Sequence, residues 1–154
     1  MGPPGIRIAV VALLCLPARL GAQTSQDSAS VQAFYTAWFG STPDGPSIYA
    51  SFYAPDGQLF PPGESPITGR QAIAAWFGRA QQESTYRAIP QGLEVEEMRF
   101  LSPDWVVHRT RLWGVRQPHD GSPAMPFETT YFDLLRRAGT TWSVAYRMWS
   151  DTTP

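Results

Sequence analysis

Two side chains of this sequence, His108 and Tyr146, have the chemical types needed to move a proton. A neutral imidazole serves as acid or base near pH 7. A phenol can donate to an oxygen that gathers charge in a transition state. Alternating apolar positions put both residues in strands, on one sheet face with a single strand between them. The alternative is a partly buried histidine bonded to Tyr146, Thr110 or a backbone carbonyl. His119 sits in a polar loop and Cys15, the one cysteine, in an N-terminal apolar run. No metal site and no cofactor is expected from that set. Asp56 precedes Gly57, a turn pair in which the carboxylate accepts from nearby amides. Arg70 opens a helix, where a cation opposes the dipole, so a carboxylate or the rim of a pocket is its expected partner. Glu94, Glu96 and Glu97 read as solvated charge on an edge strand.

Composition removes several function classes. The chain has no lysine and no asparagine, which excludes Schiff-base catalysis and a P-loop lysine. The formal net charge is −1, with no basic tract, so no nucleic-acid partner is expected. Residues 8–16 (IAVVALLCL) follow Arg7 and precede a break with small residues at 17–23. That run is too short to span a bilayer and has the layout of a secretory signal peptide, residues 1–22. A retained apolar anchor is the alternative. Cleavage would leave a secreted or periplasmic protein without cysteine and without membrane contact. Residues 23–30 then form a flexible lead-in, and 31–151 a single domain.

The elements that must position these groups follow from periodicity. Val31, Phe34, Tyr35 and Trp38 share one helix face. Residues 48–53 form a short second helix, stopped by Pro55, and 58–60 a short strand. Thr68 and Gln71 predict a capping box for a third helix whose stripe is Ile73, Trp76, Phe77 and Ala80. Beyond Thr85 the period changes to two, with strands over 93–101, 105–116, 127–137 and 142–151. Helices followed by antiparallel strands give an α+β order.

Hairpin geometry sets the register. A turn near Gly121 places Thr110 opposite Phe132 and His108 opposite Leu134. A turn near Gly139 places Leu134 opposite Val144 and Phe132 opposite Tyr146. One face then gathers Val106, His108, Thr110, Leu112, Thr130, Phe132, Leu134, Trp142, Val144, Tyr146 and Met148, and should meet the helices. The other gathers Trp105, Arg109, Arg111, Trp113, Tyr131, Asp133, Arg147 and Trp149. Aromatics and arginine are enriched at interface cores. The outer face is therefore predicted to join two copies as a homodimer, with Arg109–Asp133 and Arg147–Asp151 as ion pairs. The alternative is a monomer whose tryptophans are covered by the termini or the long loop.

Three blocks carry a family likeness: Tyr53-Ala54-Pro55-Asp56, Pro61-Pro62-Gly63 and Gly69-Arg70-Gln71-Ala72-Ile73, with a closing strand led by Trp142. Through residues 27–151 the chain resembles the SnoaL-like branch of the ketosteroid-isomerase and nuclear-transport-factor-2 superfamily. The resemblance implies a cone-shaped ketosteroid-isomerase/cystatin-like α+β fold, three N-terminal helices packed on a curved antiparallel sheet around an apolar pocket. Steroid isomerases of the superfamily place a base aspartate just before the Pro-x-Gly loop, where this chain has Phe60. They place an oxyanion-binding tyrosine on the first helix, where Phe34 matches, with Tyr35 one step around. Phenylalanine is neither base nor donor, so ketosteroid isomerisation is not expected.

Phe34, Trp38, Tyr53, Phe60 and Trp76 are placed at the pocket mouth, with Thr110, Phe132 and Met148 inside. Core packing is the alternative for Trp38 and Trp76. Such a lining suits a small apolar or aromatic molecule. Three functions fit: a dimeric ligand-binding domain; an isomerase, cyclase or lyase using His108 and Tyr146; and a dimerisation scaffold. The superfamily hosts all three.

Overall fold

The computed structural model describes residues 25–151. The expected signal peptide, residues 1–22, lies outside the described residues, as do residues 23 and 24. The first helix, α1 (Ser25–Gly40), starts inside the expected lead-in. Asp27 pairs with Arg137 at 2.5 Å, and Trp142 Nε1 donates to Ser30 Oγ at 2.9 Å. These two contacts tie the first turns to the sheet, which is why residues 25–30 are helical. Val31, Tyr35 and Trp38 are buried and Phe34 is half-buried, as the spacing predicts.

A 3-10 turn, Thr42–Asp44, leads to α2 (Pro46–Ser51), with Pro46 in the first turn where its missing N–H is harmless. Then come β1 (Tyr53–Phe60), β2 (Ile67–Thr68), α3 (Arg70–Glu83), β3 (Tyr86–Ser102), β4 (Trp105–Pro118), β5 (Met125–Ala138) and β6 (Thr141–Asp151). The expected capping box does not form. Thr68 pairs with Gln58 as part of β2, and α3 starts after Gly69 at φ 88° with no side-chain cap. Tyr53 opens a strand rather than closing a helix. β3 begins at Tyr86 rather than 93, because β4 offers its whole edge from Pro118 to Trp105. Pro90 is tolerated there because β3 is the outermost strand.

The strand order is β2-β1-β6-β5-β4-β3. All pairs are antiparallel except β1–β6, which is parallel, so the sheet is mixed. The β1–β6 register shifts between Tyr53 and Gln58. Gly57 makes that shift possible: a Cβ there would stand 2.7 Å from Val144 O. The helices cover one face of the sheet, giving the expected α+β cone.

The sheet register corrects the expected faces. β4 and β5 pair Thr110 with Tyr131 and His108 with Asp133, one residue away from expectation. Pairing ends at Arg116–Met125, so the loop centres between Asp120 and Gly121 rather than on Gly121. An odd slip turns every β5 side chain over. On β6 the register shifts between Leu134–Tyr146 and Leu135–Val144, which leaves Ala145 as a bulge. Trp142 and Val144 point inward as expected. Beyond the bulge Arg147 and Trp149 face the helices, while Tyr146 and Met148 face out. Tyr131 and Asp133 likewise turn in, and Thr130, Phe132 and Leu134 turn out. Four of the eight residues assigned to the outer face, Tyr131, Asp133, Arg147 and Trp149, therefore do not lie on it. Trp105, Arg109, Arg111 and Trp113 keep the assigned parity.

Candidate functional site

Beneath the helices, three neighbouring strands set His108, Asp133 and Arg147 side by side. All three are buried, at 1%, 0% and 2% exposure. The ring of Tyr35 stacks on His108 with centroids 3.8 Å apart, and its hydroxyl donates to Asp133 Oδ2 at 3.1 Å. Burial, then the Arg147 charge, lowers the His108 pKa to about 4, so its imidazole is neutral at pH 7. Burial raises the Asp133 carboxyl to about 6, against the pull of Arg147 and the Tyr35 hydrogen bond. Tyr35 itself is pushed well above its ordinary 10, chiefly by burial and then by Asp133.

Arg147 stays charged. Burial opposes the guanidinium, but Asp133 and the nearby tyrosines more than offset it and its pKa rises. Its Nε lies 3.7 Å from Asp133 Oδ1, and its Nη1 donates to Tyr49 Oη at 3.2 Å. The guanidinium carbon lies 4.1 Å from the Tyr131 ring centre and 4.5 Å from that of Trp38, within cation–π range. The expected pairs Arg109–Asp133 and Arg147–Asp151 are replaced. Asp133 meets Arg147, Asp151 meets Arg116, and Arg109 meets Glu96.

Next to this cluster lies a cavity of about 610 Å³, within the usual range for small-molecule sites. Phe39, Thr42, Pro46 and Tyr49 wall one side, and Phe77 and Gln81 of α3 another. The sheet supplies Pro90, Gly92, Leu93, Leu112, Tyr131 and Arg147. Among the described residues Arg147 is the one charged group on this wall, and no carboxylate or imidazole lines it. Burial raises Tyr49 to about 12 and also raises Tyr131, so neither phenol is a base at neutral pH.

None of the expected pocket residues lines this cavity. Trp38, Tyr53 and Thr110 are fully buried core, and Phe34 packs on Trp38 and Phe52. Trp76 donates to Glu64 and packs on Trp149. Phe132 and Met148 lie on the outer face, and Phe60 meets Tyr146 there at 6.2 Å. His108 and Tyr146 thus occupy opposite faces of the sheet and do not form an acid–base pair. Arg147 and Tyr131, read from the sequence as interface residues, instead line the cavity. A loop of even length would have placed both on the parity of His108, and that was the available signal.

The remaining charged candidates are tied up locally. Asp56 pairs with Arg136 and also accepts from its own backbone amide, and Arg70 Nε donates to Tyr53 O at 2.6 Å. Glu94 and Glu96 both reach Arg111, and Glu97 reaches Arg99.

No protein-family model and no curated protein matches the sequence. Solved structures do match in shape. A ketosteroid isomerase-like protein from Erwinia carotovora atroseptica superposes with TM-score 0.74 at 21% identity, over 85% of this chain and 100% of that one. A hexachlorocyclohexane dehydrochlorinase from Novosphingobium barchaimii matches with TM-score 0.66 at 14% identity, over 82% and 87%. A domain of unknown function with a cystatin-like fold from Nostoc punctiforme matches with TM-score 0.64 at 13% identity, over 85% and 79%. The chain has a ketosteroid-isomerase-like, cystatin-like α+β fold.

Proposed function

We propose that the protein is a binding domain that receives one small, flat, apolar molecule per subunit in the cavity beside Arg147. The observation that carries this reading is a wall of Phe39, Tyr49, Phe77, Leu93 and Leu112 where, among the described residues, no group is a base at neutral pH. Such a wall buries a planar ligand but offers nothing to abstract a proton. An acid–base role for His108 would require the Tyr35 ring to leave it, since that ring covers the imidazole. N-phenyl-1-naphthylamine, a neutral aromatic fluorophore, tests the reading. Its emission should rise and saturate at one probe per subunit, and Leu112→Trp, folded by far-UV circular dichroism, should remove the rise. Non-saturable emission, or an equal response in the variant, would refute the reading.

The outer sheet face supports a homodimer, with a changed cast. Phe132, Tyr146 and Met148 are 36%, 39% and 42% exposed, and Phe132 and Phe60 both pair with Met148 across strands. Among the described residues nothing covers this apolar strip, whereas the flanking Arg109 and Arg111 already pair with Glu94, Glu96 and Glu128. Export is read from residues 1–22 alone, and N-terminal sequencing of protein recovered outside the cytoplasm tests it: retention of Met1 would refute cleavage.

A further inference from the structure

The guanidinium of Arg147 is only partly used by the protein. It carries five N–H donors in a planar fork. Among the described residues Tyr49 is the one acceptor within hydrogen-bond distance. Asp133 stands 3.7 Å away, beyond that distance. Its Oδ2 is taken by Tyr35, and its Oδ1 has no hydrogen-bond partner among the described residues. Tyr131 and Trp38 cover the guanidinium with ring faces, which hold the charge without satisfying its donors. The remaining donors belong to a side chain that lines the cavity, while Asp133 does not line it. An anion there would not share a surface with the buried carboxylate.

We propose that the ligand of this cavity is an aromatic carboxylate whose carboxylate group sits on the Nη edge of Arg147. A planar fork matches a carboxylate with two parallel bonds. Tyr49 strengthens the seat. Its oxygen accepts from Arg147, which leaves its own proton to donate to the ligand. The flat apolar body then lies between Phe77, Leu93 and Leu112. This assignment rests on the cavity being a ligand site, and the test separates the two.

Calorimetry compares 2-naphthoate with its neutral isostere 2-naphthamide on the full chain. The unaltered protein should bind the carboxylate at least about tenfold more tightly. The double variant Arg147→Met/Asp133→Asn removes both charges together, so no lone buried ion remains. It should bind the two compounds equally. Leu112→Trp should bind neither. Equal binding by the unaltered protein, which needs no variant, overturns the anion assignment and leaves the cavity reading standing. A preference that survives in the double variant does the same. Binding of neither compound overturns both.

Discussion

Replacing His108 with Gln should change how stability depends on pH more than it changes stability at neutrality. In the folded chain burial holds the imidazole near pKa 4, against its ordinary 6.5. Between those values the unfolded chain binds the proton and the folded chain does not, so acidification favours unfolding. From pH 7.5 to pH 4 this amounts to a loss of about 3 kcal/mol. Asp133 works in the opposite direction. Its folded pKa is raised from 3.8 to about 6, so its contribution is present at low pH and lost as pH rises through about 6. It returns about 2 kcal/mol over the same interval. The two nearly cancel, and these groups leave the unaltered chain with a flat profile between pH 4 and 6. His108→Gln removes one side of the balance. Urea unfolding at half-unit pH steps should show the variant gaining about 3 kcal/mol on the parent as pH falls from 7.5 to 4. A difference that stays constant with pH would refute the burial of a neutral imidazole at this position.

Asp133→Asn should remove the stability that Asp133 regains on acidification, so in urea unfolding the variant should lose about 2 kcal/mol relative to the parent as pH falls from 7.5 to 4, and a difference that stays constant with pH would be the contrary result. Gly57→Ala should cost about 1–3 kcal/mol, since the added methyl meets Val144 O at 2.7 Å; an unchanged urea midpoint would contradict the close approach. Phe132→Glu should convert the proposed dimer to monomers in sedimentation velocity at micromolar concentration, and a parent that sediments as a monomer would remove the interface reading.

The elements of the fold were legible wherever apolar residues alone determine the pattern. Val31, Tyr35 and Trp38 announce α1 because every member of the stripe is apolar and meets core. The sheet faces were legible on β4 and at Trp142 and Val144 but not on β5 or the end of β6, because there the interior carries Thr129, Asp133 and Arg147 while Phe132, Tyr146 and Met148 lie outside. With charge inside and aromatics outside, sorting by hydrophobicity selects the wrong parity. The bulge at Ala145 adds a second inversion that no residue type in the segment announces. The site was missed for the same reason. Arginine on a strand reads as surface until Asp133, Tyr131 and Trp38 are known to surround it. The capping signal at Thr68 was real local chemistry overridden by pairing with Gln58, a tertiary contact that propensity cannot see.

The parallel β1–β6 pair has a consequence for biosynthesis. The segment that leaves the ribosome after all the other strands does not trim an edge; it fills the middle of the sheet. Until residues 141–151 emerge, β1 and β5 each present an open backbone ladder, and the Phe52 carbonyl has no Val144 N–H to accept from. Tyr53 must wait for Val144, a closure across most of the domain that slows assembly. A truncated translation product ending before Thr141 would therefore be two unjoined half-sheets with sticky margins, prone to aggregation.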